Sequence, residues 1–205
     1  MKDIKFSEVD DVFVSKDRIF LVDTMESRVN VFDTNFNFLV SIKLIRDANG
    51  RIVVNPQTNE QLMLTNPEGV FMDDNTGLLY IADTAAERIV VLDGKTYSFS
   101  RIIEKPDNMV GVTQFKPSKL VVGKDGVISI VVQGSYEGII QLNNDGTFSR
   151  YFGLNKPKVN MIDQLWESIA TRKQKEKMKK VFAPSFNNLT IDQDGLIYAT
   201  TYDAS

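Results

Sequence analysis

The stretch VDTMESRVNVFD, residues 22–33, returns as ADTAAERIVVLD, residues 82–93, 60 residues later and without a gap. A phrase repeated at such spacing restricts a chain to folds that use one supersecondary unit again and again. A unit of this size cannot bury its own apolar faces and has to stack on its neighbours. The residues before the phrase align as well: DDVFVSKDRIFLVDT (10–24) matches EGVFMDDNTGLLYIADT (68–84), the second being two residues longer in its turn. A third copy is SKLVVGKDGVISIVVQG (118–134) and a fourth is NNLTIDQDGLIYATTYD (187–203).

Each copy reads as a short apolar strand, a turn, and a second strand ending in an aliphatic pair. The turns KDGV and QDGL carry Asp-Gly, which favours a tight hairpin; NTGL uses Gly77, and SKDR does without glycine. Third and fourth strands follow at 28–32 and 36–42, at 88–92 and 98–103, and at 138–142 and 148–152, joined by DTNFN, DGKTY and NNDGT. The alternation in RVNVF and RIVVL has a period of two, which belongs to strands and not to helix. The expected fold is therefore all-β, a β-propeller of four-stranded antiparallel blades in one domain. Blade one covers about 6–43, blade two 67–104, blade three 116–153, and a partial blade four 184–205.

Two insertions interrupt the pattern. In 44–66, RIVV and QLML flank the turn-rich NPQTNE, which reads as an added hairpin. A helical insertion is expected near 158–183, where Ile162, Leu165, Trp166 and Ile169 form a one-sided apolar stripe. Asn160 is its N-cap, Thr171 and Gln174 form a capping box for a second helix, and Pro184 marks the end. Six basic residues between Arg172 and Lys180 read as a solvated helix face, and Trp166 as a packing anchor. The copy beginning at 187 has no third or fourth strand after YATTYDAS. The chain thus reads as a partial ring from a parent of about six blades, or as one whose open blade edges pair with a second copy.

Composition narrows the chemistry. The chain has no Cys and no His, so these residues can build no disulfide, thiolate or imidazole metal site, Ser-His-Asp triad or imidazole base. The formal net charge of −3 gives no electrostatic hold on nucleic acid or anionic lipid, and no apolar run is long enough for a membrane span. Neither a nucleic-acid partner nor membrane contact by this segment is expected.

Asp23 and Asp83 end a strand at a sharp turn, and Arg28 and Arg88 begin the next strand within reach of those carboxylates. Such pairs fix the turn and orient one blade against its neighbour. The pattern P-E-G-V … G-L-L-Y-I-A-D-T … E-R-I-V-V-L-D resembles the NHL repeat, a propeller blade motif, with Pro67, Gly69, Gly77, Tyr80, Asp83 and Arg88 at its positions. Blade one keeps Asp23 and Arg28 but lacks the Pro-x-Gly; blade three keeps Pro117 and has Val132 and Gly138 in place of the Asp–Arg pair. The whole resembles bacterial NHL proteins in which the propeller precedes a membrane-spanning segment. That resemblance implies an extracytoplasmic or cell-surface location.

Ligands of propellers bind where the inner strands meet the channel mouth, so the residues just before those strands are the candidate site. They are Asp10, Asp11, Glu68, Ser118, Lys119, Asn187 and Asn188, with Thr24, Met25, Thr84, Gln133, Tyr202 and Asp203 on the same rim. The expected function is a non-catalytic binding or scaffold module without cofactor, recognising a protein or a carbohydrate through Asp11, Glu68, Lys119, Asn188 and Asp203. The alternative is a calcium-dependent hydrolase resembling gluconolactonases. Asp11, Glu68 and Asn188 would hold the metal there, and Lys119 or Asp203 would handle protons.

Overall fold

A computed structural model describes residues 5–109, 112–135, 138–153 and 185–201. The first sheet is β1 (Val9–Val14), β2 (Arg18–Asp23), β3 (Arg28–Asp33) and β4 (Phe38–Ile42). The second is β5 (Gly69–Asp73), β6 (Leu78–Asp83), β7 (Arg88–Asp93) and β8 (Phe99–Ile103). The third is β9 (Pro117–Val122), β10 (Ile128–Val132), β11 (Ile139–Leu142) and β12 (Phe148–Phe152); β13 (Phe186–Ile191) and β14 (Ile197–Thr201) form a two-stranded sheet. Within each sheet the strands pair antiparallel in chain order.

Local chemistry explains the hairpins. The carboxylates of Asp33, Asp93, Asp145 and Asp192 each accept backbone N–H groups two to four residues ahead, which bends the chain without a helix. Gly126 takes φ +78° in the Asp-Gly turn between β9 and β10. The turn SKDR, lacking glycine, closes instead by the Ser15 N–H donating to the Arg18 carbonyl at 2.9 Å.

Packing follows the two-residue period. In β6, Leu79 and Ile81 enter a core shared with Phe20, Val22, Val29 and Val31 of the first sheet. Tyr80 and Ala82, between them in sequence, enter the opposite core with Leu120, Ile128, Ile130 and Leu142 of the third sheet, where Leu189 of β13 also lies. The second sheet is thus a buried layer between two others. Its inner strand β5 packs on β1 and β9, and β9 packs on β13. These four strands line one channel.

The excursion 44–66 is more than the single expected hairpin. Val54 bridges Gln61, Leu44 bridges Met63 and Arg46 bridges Ile52. Ile45, Leu62 and Leu64 are buried together in the core between the first two sheets. Arg46 further bridges Ser98 in parallel, tying the excursion to β8. Among the described residues the one helical element is a single 3₁₀ turn, Thr84–Ala86. The helical insertion expected near 158–183, with Trp166 and the basic run, lies outside the described residues, as does Asp203.

Candidate functional site

Strand register places four residues at one equivalent ring position. Asp11 pairs with Val22, Gly69 with Ala82, Lys119 with Val131, and Asn188 with Thr200. The four sheets therefore offer a carboxylate, no side chain, an ammonium and an amide to the mouth of the channel. Gly69 is obligatory there. A Cβ at Gly69 would sit 2.2 Å from the Ser118 carbonyl oxygen and 3.2 Å from the Lys119 Cα, because the second and third sheets touch backbone to backbone at this point.

Beside this close approach the Lys119 side chain crosses the mouth. Its Nζ donates to the Glu68 carbonyl at 2.6 Å and to the Asp10 carbonyl at 2.6 Å, and lies 3.3 Å from Asp11 Oδ1. The other carboxylate oxygen of Asp11 accepts the Val70 N–H at 2.9 Å. One lysine thus joins three sheets across sequence separations of 51 and 109 residues. Both partners are largely withdrawn from water, with side chains 12% and 18% exposed. An ammonium has three protons, and here it has three oxygen partners.

Glu68 points its carboxylate elsewhere. Its Oε2 accepts the Gln133 amide at 2.6 Å. Burial, with Asp10 nearby, raises its pKa above the ordinary carboxylate value, against the opposing pull of Gln133 and Lys119. A cavity of about 320 Å³ opens over this pair, lined also by Ser118, Ser185 and Asn187. A second cavity of about 850 Å³ continues down the channel between Asp11, Lys119 and Asn188 at one end and Lys16, Lys124 and Asp192 at the other.

The structure therefore brings Asp11, Glu68 and Lys119 together, with Asn188 on the channel wall beside them. The Asn188 Oδ1 accepts the N–H of its own neighbour Leu189 at 2.8 Å. Among the described residues no group of three or more Asp, Glu, His or Cys side chains gathers as a metal site. The three side chains expected as calcium ligands are each otherwise engaged, and the Lys119 ammonium lies against Asp11. As arranged they do not fit a resident calcium ion. Gln133, noted in the sequence only as a rim residue, proves to be the direct partner of Glu68; no sequence signal marks that pairing, which spans 65 residues.

The Asp–Arg pairs lie off the mouth and hold connections together. Asp23 Oδ2 accepts Arg28 Nε at 3.0 Å and Nη2 at 2.8 Å, while Oδ1 accepts the N–H groups of Ser7 and Glu8. Arg28 Nη2 also donates to the Lys5 carbonyl at 2.6 Å. In the second sheet Asp83 accepts Arg88 Nε at 2.9 Å and the Thr65 N–H, and Arg88 Nη2 donates to the Met63 carbonyl at 2.8 Å. The next residue forms the link between sheets. The Thr24 hydroxyl donates to the Pro67 carbonyl at 2.6 Å, and the Thr84 hydroxyl to the Pro117 carbonyl at 2.7 Å.

No family profile matches the chain, and no curated protein matches it. Solved structures do. The extracellular domain of a protein assigned as a hybrid two-component system of B. thetaiotaomicron is 13% identical over 99% of this chain, with a TM-score of 0.57. A second such domain from the same organism is 16% identical over 98%, with a TM-score of 0.55. Glutaminyl cyclase of Myxococcus xanthus is 11% identical over 94% of this chain and 67% of its own length, with a TM-score of 0.53. The fold is propeller-like. The chain spans less than a quarter of the length of the two B. thetaiotaomicron domains, 22% and 23%. At such identities the likeness concerns the fold alone.

Proposed function

We propose that this chain is part of an NHL-type propeller acting as a non-catalytic binding module outside the cytoplasm, recognising a protein or carbohydrate ligand at the channel mouth. One observation carries this reading: the ionisable groups that converge on the mouth are bonded to the chain itself. Lys119 donates to two backbone carbonyls and pairs with Asp11, Asp11 also accepts the Val70 N–H, and Glu68 accepts the Gln133 amide. No side chain in this set is poised as a free nucleophile next to a base, which is what covalent or acid–base catalysis needs. What the mouth does present is fixed amide and carboxylate groups over a cavity of about 320 Å³, suited to reading hydroxyl or peptide groups. The extracellular setting of the two B. thetaiotaomicron neighbours supports the location.

The test uses the protein on a glycan array and in pull-down against peptides displayed from extracellular proteins, alongside Glu68→Ala and Gln133→Ala variants. A ligand retained by the wild type and lost by both variants is expected. Hydrolysis of lactones or esters that vanishes in Glu68→Ala would overturn the reading in favour of an enzyme.

A further inference from the structure

The arrangement around Lys119 has the form of a cation site. Two backbone carbonyl oxygens and one carboxylate oxygen converge on a single point, and the cation at that point is a lysine Nζ. The oxygens come from two different sheets, from Asp10 and Asp11 and from Glu68, so the cage exists because the sheets stack and not because a loop folds around an ion. Its carboxylate is held in orientation independently of the lysine, by the Val70 N–H on Asp11 Oδ2. Gly69, without a side chain, lets the backbone of β9 approach β5 closely at the point from which Lys119 extends.

We propose that the channel mouth is a hard-oxygen cation site permanently filled by the chain's own Lys119 ammonium, and that removing this side chain converts it into a site for a free cation. Carbonyl and carboxylate oxygens are the ligands that calcium takes, completed by water, and carbonyl oxygens equally suit potassium. The shared chemistry is a hard cation on oxygen, and the charge of Asp11 favours calcium. In the wild-type protein the tethered ammonium cannot dissociate, so the mouth keeps its shape and charge whatever the metal supply. Recognition at this rim is then indifferent to chelators. The inference stands on the geometry of the mouth and not on the identity of any ligand bound there.

The experiment titrates calcium chloride and, separately, potassium chloride into wild type, Lys119→Ala, Lys119→Met and Lys119→Ala/Asp11→Asn by calorimetry, with thermal melting of the same samples. Wild type is expected to give no saturable heat and an unchanged Tm. Lys119→Ala should melt lower than wild type, recover on adding cation, and bind with a dissociation constant of about 10⁻⁴–10⁻³ M, weak because a single ligand is charged. Loss of the Asp11 charge should weaken that binding at least about tenfold. Lys119→Met fills the cage with an uncharged stem and should respond to neither ion. A response to potassium in place of calcium supports the same site with size, not charge, choosing the ion. The proposal is overturned if folded Lys119→Ala takes up neither ion, if it stays unfolded even with cation present, or if wild type binds calcium as tightly as the variant. Because the readout is cation dependence, a lysine that merely packs would not produce it.

Discussion

The same Asp–Arg clasp is built twice, and the two copies differ in their electrostatics. Asp23 and Asp83 are both fully buried and both face an arginine, Arg28 at 23% and Arg88 at 18% side-chain exposure. Asp23 receives two guanidinium contacts and two backbone N–H groups, and its pKa lies below the ordinary value: Arg28 and the Ser7 and Glu8 amides together outweigh its burial. Asp83 receives one guanidinium contact and one backbone N–H, and sits between two cores. Burial pushes its carboxyl up to about 6 in spite of Thr65 and Arg88. Identical residue types at identical spacing thus lie on opposite sides of the usual carboxylate value, because desolvation grows with depth while the number of donors falls.

This contrast can be broken by deletion. Asp83→Ala removes one Arg88 contact and the acceptor of the Thr65 N–H from a carboxyl whose ionised form burial disfavours, and should cost about 1–3 kcal/mol at neutral pH. Asp23→Ala removes two guanidinium contacts and two backbone N–H bonds from a buried carboxylate held in its charged form, and should cost more, about 3–5 kcal/mol. Chemical denaturation measures both, and an inverted order would refute the difference in depth.

The pH dependence sharpens it. For Asp83 the folded pKa lies above the unfolded one, so its contribution to stability is complete below about pH 4 and lost as pH rises through about 6. For Asp23 the folded pKa is depressed, so its contribution is present at neutral pH and lost as pH falls below the unfolded value. Relative to Asp83→Asn, wild type should lose up to about 3 kcal/mol between pH 4 and pH 7. Relative to Asp23→Asn it should stay level over that range and lose stability as pH falls below about 4. Parallel pH slopes for the two variants would remove the distinction.

A third comparison lies in the strands that follow the clasps. Asn30 of β3 occupies the place of Val90 in β7, two register steps from the paired Asp and Arg in each sheet. Val90 packs in the core between the first two sheets, whereas the buried Asn30 amide has no hydrogen-bond partner among the described residues. Asn30→Val should raise stability by about 1–3 kcal/mol by removing that unmet polar group. A loss instead would show that the amide is satisfied by something beyond the described residues.

The smallest effects belong to the threonine links. Thr24→Val and Thr84→Val each remove one buried hydrogen bond between sheets and should cost about 1 kcal/mol apiece, equal within error. A marked inequality would mean that the sheets are not joined in the same way at the two positions.

The strands were legible because a two-residue period and Asp-rich turns are local signals. The expected 88–92 and 98–103 became Arg88–Asp93 and Phe99–Ile103, and 148–152 became Phe148–Phe152. The clasps were legible too, since Asp and Arg are five residues apart across one turn. Half of the site was visible as residue types at the starts of inner strands. Its wiring was not: Lys119 reaches Asp10 over 109 residues, and Gln133 reaches Glu68 over 65. Asp11, Glu68 and Asn188 read as a set of hard ligands in the sequence, and the folded chain puts an ammonium against the first of them.

The sequence by itself determined that repeated units of antiparallel strands would stack, since each unit has two apolar faces and cannot hide either alone. It also determined which chemistries the chain lacks, having neither imidazole nor thiol. Only the tertiary structure decided what the repeats do where they meet. Positions equivalent in sequence converge at one mouth there; the lack of a side chain at Gly69 lets the second and third sheets touch backbone to backbone, and the Lys119 cation of the third sheet meets the carboxylate of the first. That outcome depends on distances between sheets, which no local pattern encodes. The depth that separates Asp83 from Asp23 was settled in the same way, by how many neighbouring sheets cover each clasp.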